Sequence, residues 1–503
     1  MRFTSLIVEL VRARPKLVVW VAVLLQAALW IVVPSLIYAS PPEDVATVLA
    51  FGREYQVGTD LGPPLPFWLA DMVFRLAGNH VVGVYLLAEA CFVVTMLALF
   101  RLSSAVVGRQ QAALAVLLTA TLTMFSFPGL EFGPAVLARP LWALVLLHAW
   151  RVAGQGSRLS WFALTIESGL LLLTTPAAAL LLALVFVFLL ATRRGRRALL
   201  TPDPWFALAV IVVMVLPYVV WLARFSWPHW PPLPPLAELT PRAERWGELL
   251  GGLLLTMSGI AILLVVNSRR WTRKPDEVPE IYRPPVDPYA QRFVFFFALA
   301  PVLAATLVSA AFGLGEIFGG AGTVMLLVGL AVIVVSGDLI PLRRQETLRT
   351  VWAVIIAAPA AALVVQAVVQ PWIISTEVST ALPARAMAQF FGENFQHRTG
   401  KPLPAVAGDP RLATLVALGL PQRPHVFFAA TPDRTPWFSA AKFRETGGVV
   451  VWRAADTAGP PPAEIVRQFP DLAPELPRAF ERMVNGRQPL LRLGWGVVRP
   501  ASR

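Results

Sequence analysis

Charged residues are scarce in this chain: Asp, Glu, Lys and Arg make up 15% of its 503 residues, and 56% are hydrophobic. Its mean hydropathy is +0.64. So few charges exclude an ordinary soluble globular protein and predict several membrane spans. The net charge is +13, but the Arg residues form short clusters between apolar runs. This distribution indicates membrane topology rather than nucleic-acid binding.

Cysteine and histidine are almost missing. The single Cys91 lies inside an apolar run, which excludes an intramolecular disulfide and makes a Cys-based metal site implausible. His80, His397 and His425 are scattered without metal-ligand spacing, so they predict no metal site. No cofactor is expected, and dependence on a divalent cation stays open. The chain also lacks an internal repeat of the kind that many transporters have.

Long apolar runs fill most of the first 373 residues. The first starts after Arg12, Arg14 and Lys16 and is about twenty residues long, which exceeds the core of a signal peptide and predicts an uncleaved helix that starts in the cytoplasm. Ten further segments bring the prediction to about eleven spans: 81–106, 112–128, 135–152, 160–174, 177–192, 204–224, 247–266, 292–312, 321–339 and 350–373.

Alternate connections between these segments carry the basic residues, as the positive-inside rule expects. The other connections hold Pro, aromatic and acidic residues. The least certain assignment of spans is at "TTP" (174–176). A single kinked helix there would reverse the membrane orientation of every later segment, but the Arg clusters on both sides favour two spans. The basic clusters are Arg101 with Arg109, Arg151 with Arg158, 192–197, 268–274 and 343–349.

After about residue 374 the composition changes. Short β-rich runs, "PAVAGD", "HVFFAA" and "GVVVW", alternate with helix-like segments bounded by Pro and Gly. We therefore expect a membrane domain at 1–373 and a small soluble α/β domain at 374–503. An odd number of spans puts this domain outside the cytoplasm, with the first loop (39–80). The Asp409 carboxylate in "AGDP" is expected to cap the next helix rather than to bind a ligand.

The first loop concentrates acids between two membrane-length segments. Apolar residues recur at helical spacing, first in 45–51 and then in 68–76, as in helices that lie flat on a membrane surface. Such helices would hold Asp44 and Glu54 at the boundary between lipid and water. A base is needed there if one substrate is lipid-borne and the other comes from the aqueous side. Solvated loop acids are the plainer alternative.

This loop, "PPEDVATVLAFGREYQVGTDLGPPLPFW" (41–68), resembles that of the GT-C membrane glycosyltransferases. The similarity is to glycosyltransferase family 39 and its bacterial relatives, the protein O-mannosyltransferases and the lipid A aminoarabinose transferase, and within them to an alphaproteobacterial branch. The layout agrees over essentially the whole chain, whereas specific motifs are confined to this loop and to "RTGKPLPAVAGD" and "GGVVVW".

The resemblance implies transfer of a sugar from a polyprenyl-phosphate donor to an envelope acceptor (lipid, glycan or protein). It places the reaction on the periplasmic face of a bacterial inner membrane. Asp44 falls on the family's essential acid and is expected to be the general base. The leaving lipid phosphate needs cationic stabilisation, for which Arg is well shaped. The expected substrate-binding residues are Arg53, Glu54, Asp60, Glu131, Arg139 and Arg224.

The loop departs from the family pattern at polar positions. Thr47 stands where the branch has a second acid, Leu61 and Gly62 replace a Lys-His pair, and Thr175 replaces a Lys at an outer helix end. Glu43 is the candidate substitute for the missing acid, and it is expected to be catalytic with Asp44.

Candidate substitutes for the missing cation are Arg53, Arg139 and Arg224. Glu131 stands where the family usually has Asn or Asp. A changed donor, or a degenerate relative that binds polyprenyl lipid or acts as a scaffold, stays open beside the transferase, as does a transporter.

Two acids lie inside predicted spans. An ionisable group is costly there and is usually functional or paired. Glu89 and Glu167 could each line a cavity or bond to a neighbouring helix. Arg139 could pair with Glu131 or meet a phosphate.

Overall fold

The computed structural model describes residues 3–127, 131–225, 239–268, 280–374, 377–428, 436–454, 458–470, 472–482, 484, 486–487 and 490–500. The helices are Phe3–Ala13 (α1), Pro15–Ile37 (α2), Glu43–Gly52 (α3), Leu65–Leu76 (α4), Val82–Thr119 (α5), Thr123–Ser126 (α6), Pro134–Ala153 (α7), Ser160–Leu172 (α8), Ala178–Ala191 (α9), Arg193–Leu199 (α10), Asp203–Phe225 (α11), Leu239–Thr256 (α12), Ser258–Val266 (α13), Pro288–Phe312 (α14), Ala321–Val324 (α15), Val328–Val335 (α16), Gln345–Val368 (α17), Gln370–Ile373 (α18), Ala384–Thr399 (α19), Pro410–Gly419 (α20), Ala440–Thr446 (α21) and Ala463–Gln468 (α22). The strands are Glu280–Tyr282 (β1), Leu339–Pro341 (β2), Ala405–Gly408 (β3), His425–Phe427 (β4), Gly448–Arg453 (β5), Ala473–Phe480 (β6) and Leu491–Val498 (β7).

Apolar helices dominate the first three quarters of the chain. Among the described residues, six helices are long and apolar enough to cross a membrane, or up to eight if each of two bent pairs is one span. All eleven predicted segments contain helix. Because α8 and the α15–α16 segment are shorter than a typical crossing, the number eleven stays a prediction.

Helix α5 contains two of the predicted spans. Its backbone leaves helical geometry at Gly108 (φ 77°, ψ 164°), a conformation that Gly adopts without a Cβ clash. Before the break, Tyr85 packs with Trp30 near the end of α2. After it, Gln110 donates 3.0 Å to the carbonyl of Arg12, at the start of α2. Phe127 then returns to Trp30, with ring centroids 5.8 Å apart. The chain therefore reverses at Gly108, as separate spans at 81–106 and 112–128 predict.

The basic connections meet at one end of the bundle. Arg12 donates to the carbonyl of Glu280, in the strand β1 that pairs with β2. Gln111 bonds to the carbonyl of Ile281 at 3.3 Å, and Arg194 lies 2.9 Å from Asp287 at the start of α14. This agrees with the predicted alternation. The cluster at 268–274 lies outside the described residues after position 268.

A five-stranded sheet follows the helices, in the order β4-β3-β5-β7-β6. Strand β3 pairs in parallel with both β4 and β5. Strand β7 pairs in antiparallel orientation with both β5 and β6. Alternate residues of β5 enter different cores: Val449 and Val451 pack with α19 and α20, and Val450 and Trp452 pack with α21 and α22. The three predicted β-rich runs form β3, β4 and β5. The Asp409 carboxylate caps α20 by accepting from Leu412 N at 3.0 Å, as predicted.

Candidate active site

Helix α3 begins immediately after Pro41-Pro42, so Glu43 and Asp44 occupy its first turn. The positive end of the helix dipole stabilises carboxylates there. The opposite face, with Val45, Leu49 and Phe51, is buried against α4 and α20. This corrects the expectation that this face lies on lipid: the protein itself covers it. In α4, Met72 and Leu76 stay exposed.

Asp44 has a perturbed carboxyl group. Partial burial raises its pKa above the ordinary value, the charge of Glu43 raises it further, and Arg411 lowers it. Asp44 makes no ion pair within the described residues. Its side chain is exposed, so a substrate can reach it.

Glu131 joins Asp44 at this end of the bundle. A Cβ on Gly133 would lie 3.8 Å from Cγ2 of Val48, so the Glu131 segment lies against α3. Burial and the charge of Asp44 raise the pKa of Glu131, and Glu316 adds to the effect. Burial, with a further contribution from the charge of Glu131, raises the pKa of Tyr38 to about 12. Asp44, Glu131 and Glu316 therefore interact through their charges.

Arg139 supplies positive charge to the same group. Its charge interacts with those of Glu131 and Glu89, yet within the described residues no carboxylate oxygen lies within 4.0 Å of it. The guanidinium lies over the ring of Phe125, 5.5 Å from the centroid, and beside Gly322. An arginine held by an aromatic ring and without a direct carboxylate partner can bind an anion such as a phosphate.

The two acids predicted inside spans differ in their surroundings. Glu89 is buried and lies close enough to Arg139 for their charges to interact. Glu167 accepts from Nδ1 of His148 at 2.8 Å, across α7 and α8. The structure therefore gives Glu167 a helix-bridging role and Glu89 a place beside the Arg139 cation.

Glu43 faces away from this group. Arg411, on α20, lies 3.2 Å from its carboxylate and also donates 2.6 Å to the carbonyl of Ser379. Glu43 thus acts on Asp44 through its charge and ties α3 to the sheet region.

Glu54 and Arg53 also lie against the sheet region. The Glu54 carboxylate bonds to Nδ1 of His425 at 2.7 Å. The charge of Arg53 interacts with Glu54 and with Asp71. These two predicted substrate-binding residues are therefore grouped at a docking interface rather than with Asp44.

The docking interface is built on a buried carboxylate. Asp71 is 0% exposed, bonds Nε of Arg75 at 2.6 Å and also bonds Nη1 of Arg423. Arg423 donates its other Nη to the carbonyl of Leu49 on α3 at 2.9 Å. Removing one partner of such a buried pair costs about 3–5 kcal/mol.

Two further predicted substrate-binding residues, and the replaced family position Thr175, have other surroundings. Asp60 is exposed in the tight turn between Thr59 and Gly62. Arg224 is exposed near the end of α11, whose Trp221 packs on Gly58. Thr175 is buried and its hydroxyl accepts from Ala177 N at 3.3 Å. Leu65 N bonds to Leu173 O at 3.1 Å, so "TTP" separates α8 from α9 at the end that carries the first loop.

Sequence reasoning missed Glu316, Asp71, Arg411 and Arg423. The signal for Asp71 was an acid four residues before Arg75 within the apolar segment "LADMVFRL". Glu316, Arg411 and Arg423 have no local signal, because their partners are distant along the chain.

Comparison with known proteins gives a match to one family model over part of the chain and a likeness of fold over nearly all of it. Residues 62–221 match the family model of the dolichyl-phosphate-mannose-protein mannosyltransferases. None of the curated proteins matches the sequence. Among solved structures, ArnT from Cupriavidus metallidurans bound to undecaprenyl phosphate is similar with a TM-score of 0.60 at 14% identity, over 96% of this chain and 98% of that one. The apo state of ArnT gives 0.59 at 15% identity, over 98% and 100%.

A second enzyme shares the arrangement over a shorter part of its length. Arabinofuranosyltransferase AftD from Mycobacteria matches with a TM-score of 0.50 at 15% identity, over 96% of this chain and 40% of that one. These identities establish the likeness of fold, and the family match covers the segment from the first loop to α11. The comparisons thus give a match to one family model over that segment and a fold similar to those of ArnT and AftD over nearly the whole chain.

Proposed function

We propose that this protein transfers a sugar from a polyprenyl-phosphate donor to an envelope acceptor, with Asp44 as general base. The observation that carries the proposal is that an accessible Asp44, whose pKa is raised, and Arg139 both interact with the charge of Glu131. Among the described residues, no carboxylate oxygen lies within 4.0 Å of Arg139. The ArnT structure of the same fold holds undecaprenyl phosphate, which supports a lipid-linked donor here.

The arrangement suits a displacement at the anomeric carbon. Ionised Asp44 takes the proton of an acceptor hydroxyl or amine as its oxygen or nitrogen bonds to that carbon. The bond from the carbon to the phosphate oxygen breaks, and polyprenyl phosphate leaves with the electron pair. Arg139 stabilises the phosphate charge. Glu131, with its raised pKa, is placed to hold the acceptor or a sugar hydroxyl.

The proposed location follows from the Arg-rich connections. The end that holds Arg12 and Arg194 would face the cytoplasm under the positive-inside rule. The first loop and the sheet region would then lie on the periplasmic side of a bacterial inner membrane, where a polyprenyl-linked donor and an envelope acceptor meet.

The test compares native protein with Asp44→Asn and Asp44→Glu in membranes at equal abundance. A panel of radiolabelled polyprenyl-phosphate sugars is offered, and transfer and donor hydrolysis are measured. Because a positioned general base contributes about 10²–10⁴-fold, Asp44→Asn should lose at least about a hundredfold in rate. Asp44→Glu should keep part of the activity, since a carboxylate remains.

Glu464→Gln is the matched control, because Glu464 is an exposed acid on α22. Its rate should stay near native. Native protein that binds polyprenyl phosphate and turns over none of the donors would overturn the transferase proposal in favour of a degenerate lipid-binding relative. Equal rates for native protein and Asp44→Asn would instead remove Asp44 from the mechanism.

A further inference from the structure

Two adjoining cavities lie at the Arg-rich end of the bundle, opposite the first loop. The first has a volume of about 480 Å³ and lies among the α7–α8 connection, α10 and the start of α11. The second has a volume of about 460 Å³ and runs along α8 and α11. Both are lined by Arg158, Trp161 and Asp203, so together they form one continuous groove.

The two halves of the groove have opposite character. The first is lined by Arg158, Arg194 and Arg197 against the carboxylate of Asp203. The second is mainly apolar, and its Phe162 and Phe206 are 73% and 70% exposed. Helix α11 faces away from the protein along most of its length, so the apolar half opens to the lipid phase.

Two of the three arginines in the first cavity form ion pairs with aspartates, and the third forms none among the described residues. Arg158 bonds to both carboxylate oxygens of Asp203, with the shorter contact at 2.8 Å. Arg194 lies 2.9 Å from Asp287 and over the ring of Tyr289. Within the described part of the chain Arg197 makes no ion pair. It lines the cavity and is exposed.

Helix ends also border the first cavity. Helices α8 and α11 begin at Ser160 and Asp203, and residues from both first turns line this cavity, beside the C-terminal ends of α7 and α10. Helix N-termini favour anions. Trp161 stands between the polar and apolar halves, the level at which Trp side chains meet the lipid glycerol region.

We propose that this groove binds an anionic phospholipid, with its phosphate at Arg197 and Arg158 and its acyl chains along Phe162 and Phe206. The charged cavity would hold the headgroup, and the adjoining apolar cavity, which faces the lipid, would hold the acyl chains. The two cavities adjoin as the headgroup and the chains of a phospholipid do. This site is separate from the proposed transfer reaction and does not rest on it, because α7 spans the distance between the two ends.

The experiment is native mass spectrometry of the purified full chain in detergent, with equal amounts of dioleoyl-phosphatidylglycerol and dioleoyl-phosphatidylcholine. Native protein should retain the anionic lipid preferentially. Arg197→Gln should reduce that preference about fivefold, the equivalent of the ~1 kcal/mol that one Arg contributes near an anionic surface. Arg292→Gln, an exposed Arg on α14 outside both cavities, should change it by less than about twofold.

A second measurement distinguishes a loss of lipid binding from misfolding of a variant. Phosphatidylglycerol should raise the thermal unfolding temperature of the native protein and of Arg292→Gln, and should raise that of Arg197→Gln less. Equal retention of the two lipids by native protein would overturn the proposal, as would equal losses in Arg197→Gln and Arg292→Gln. The native protein could instead show no lipid preference and form a dimer that Phe162→Ser dissociates. That result would overturn the proposal and make the groove an interface with a second copy of this chain.

Discussion

Glu43 and Asp44 are adjacent acids with different surroundings. Neighbouring residues on a helix point about 100° apart, so Glu43 forms an ion pair with Arg411 on α20 while Asp44 interacts with the charge of Glu131. Composition cannot separate the two, because both are acids in the first turn of α3. The proposed mechanism therefore takes Asp44 as the base and Glu43 as its electrostatic neighbour.

The activity should therefore depend on pH through Asp44. A general base works when ionised, so the rate should fall as the pH drops through the pKa of Asp44, which burial and Glu43 hold above the ordinary aspartate value. Glu43→Gln removes a charge that raises this pKa, so the acid limb should move to lower pH. Arg411→Met removes a charge that lowers it, so the limb should move to higher pH.

Sugar transfer measured across the acid range in both variants checks the sign. Opposite displacements are required, because the two neighbours have opposite charge. The role of Asp44 would be contradicted if the acid limb of the pH–rate profile moved in the same direction in both variants, or if it moved in neither.

At the scale of elements, the position of α3 depends on its close packing with α4. A Cβ on Gly52 would lie 2.3 Å from the carbonyl oxygen of Phe67 and 3.1 Å from Cβ of Asp71. Backbone atoms cannot move aside as a flexible side chain can. The absence of a side chain at Gly52 thus lets the two helices of the first loop approach each other.

Gly52→Ala should lower the free energy of unfolding by about 1–3 kcal/mol, as overpacking of a tight interface does. Gly247 in α12 provides the matched control, because a Cβ there meets nothing within 4 Å. Gly247→Ala should be neutral or stabilising by up to about 1 kcal/mol, since Ala is the better helix former. Thermal unfolding of both variants in detergent measures the difference, and equal effects would refute the packing argument.

At the scale of the whole molecule, the sheet region and the first loop lie at one end of the bundle. Among the contacts that join them in the described residues are three ion pairs: Glu43 with Arg411, Glu54 with His425, and Asp71 with Arg423. The predicted odd number of spans puts these two regions on one side, and their contacts agree with that. Which side faces the cytoplasm follows only from the distribution of Arg.

Labelling of single cysteines tests this orientation. With Cys91→Ala as background, Asp60→Cys and Glu464→Cys should react with a membrane-impermeant maleimide in intact cells. Arg193→Cys, at the Arg-rich end, should react only after permeabilisation. Labelling of Arg193→Cys alone in intact cells would invert the proposed topology.

Much of the architecture was predictable because it depends on local patterns. Apolar runs predicted the helices, and the cluster "TRRGRR" predicted the turn between α9 and α11. The strands β3 to β5 followed from β-branched runs bounded by Pro and Gly. The expectation that the apolar face of α3 lies on lipid was wrong, because apolar periodicity shows that a face is buried and not what buries it.

The sequence by itself determined the membrane class, the alternation of Arg-rich and acidic ends and the candidate base Asp44, because hydropathy, charge and a short motif are local. Only the tertiary structure decided which acids interact with Asp44 and which ones contact the sheet region. Arg423 and Asp71 lie 352 positions apart, and no local pattern pairs residues at that distance. Burial, charge and hydrogen bonding select their partners once the chain has folded.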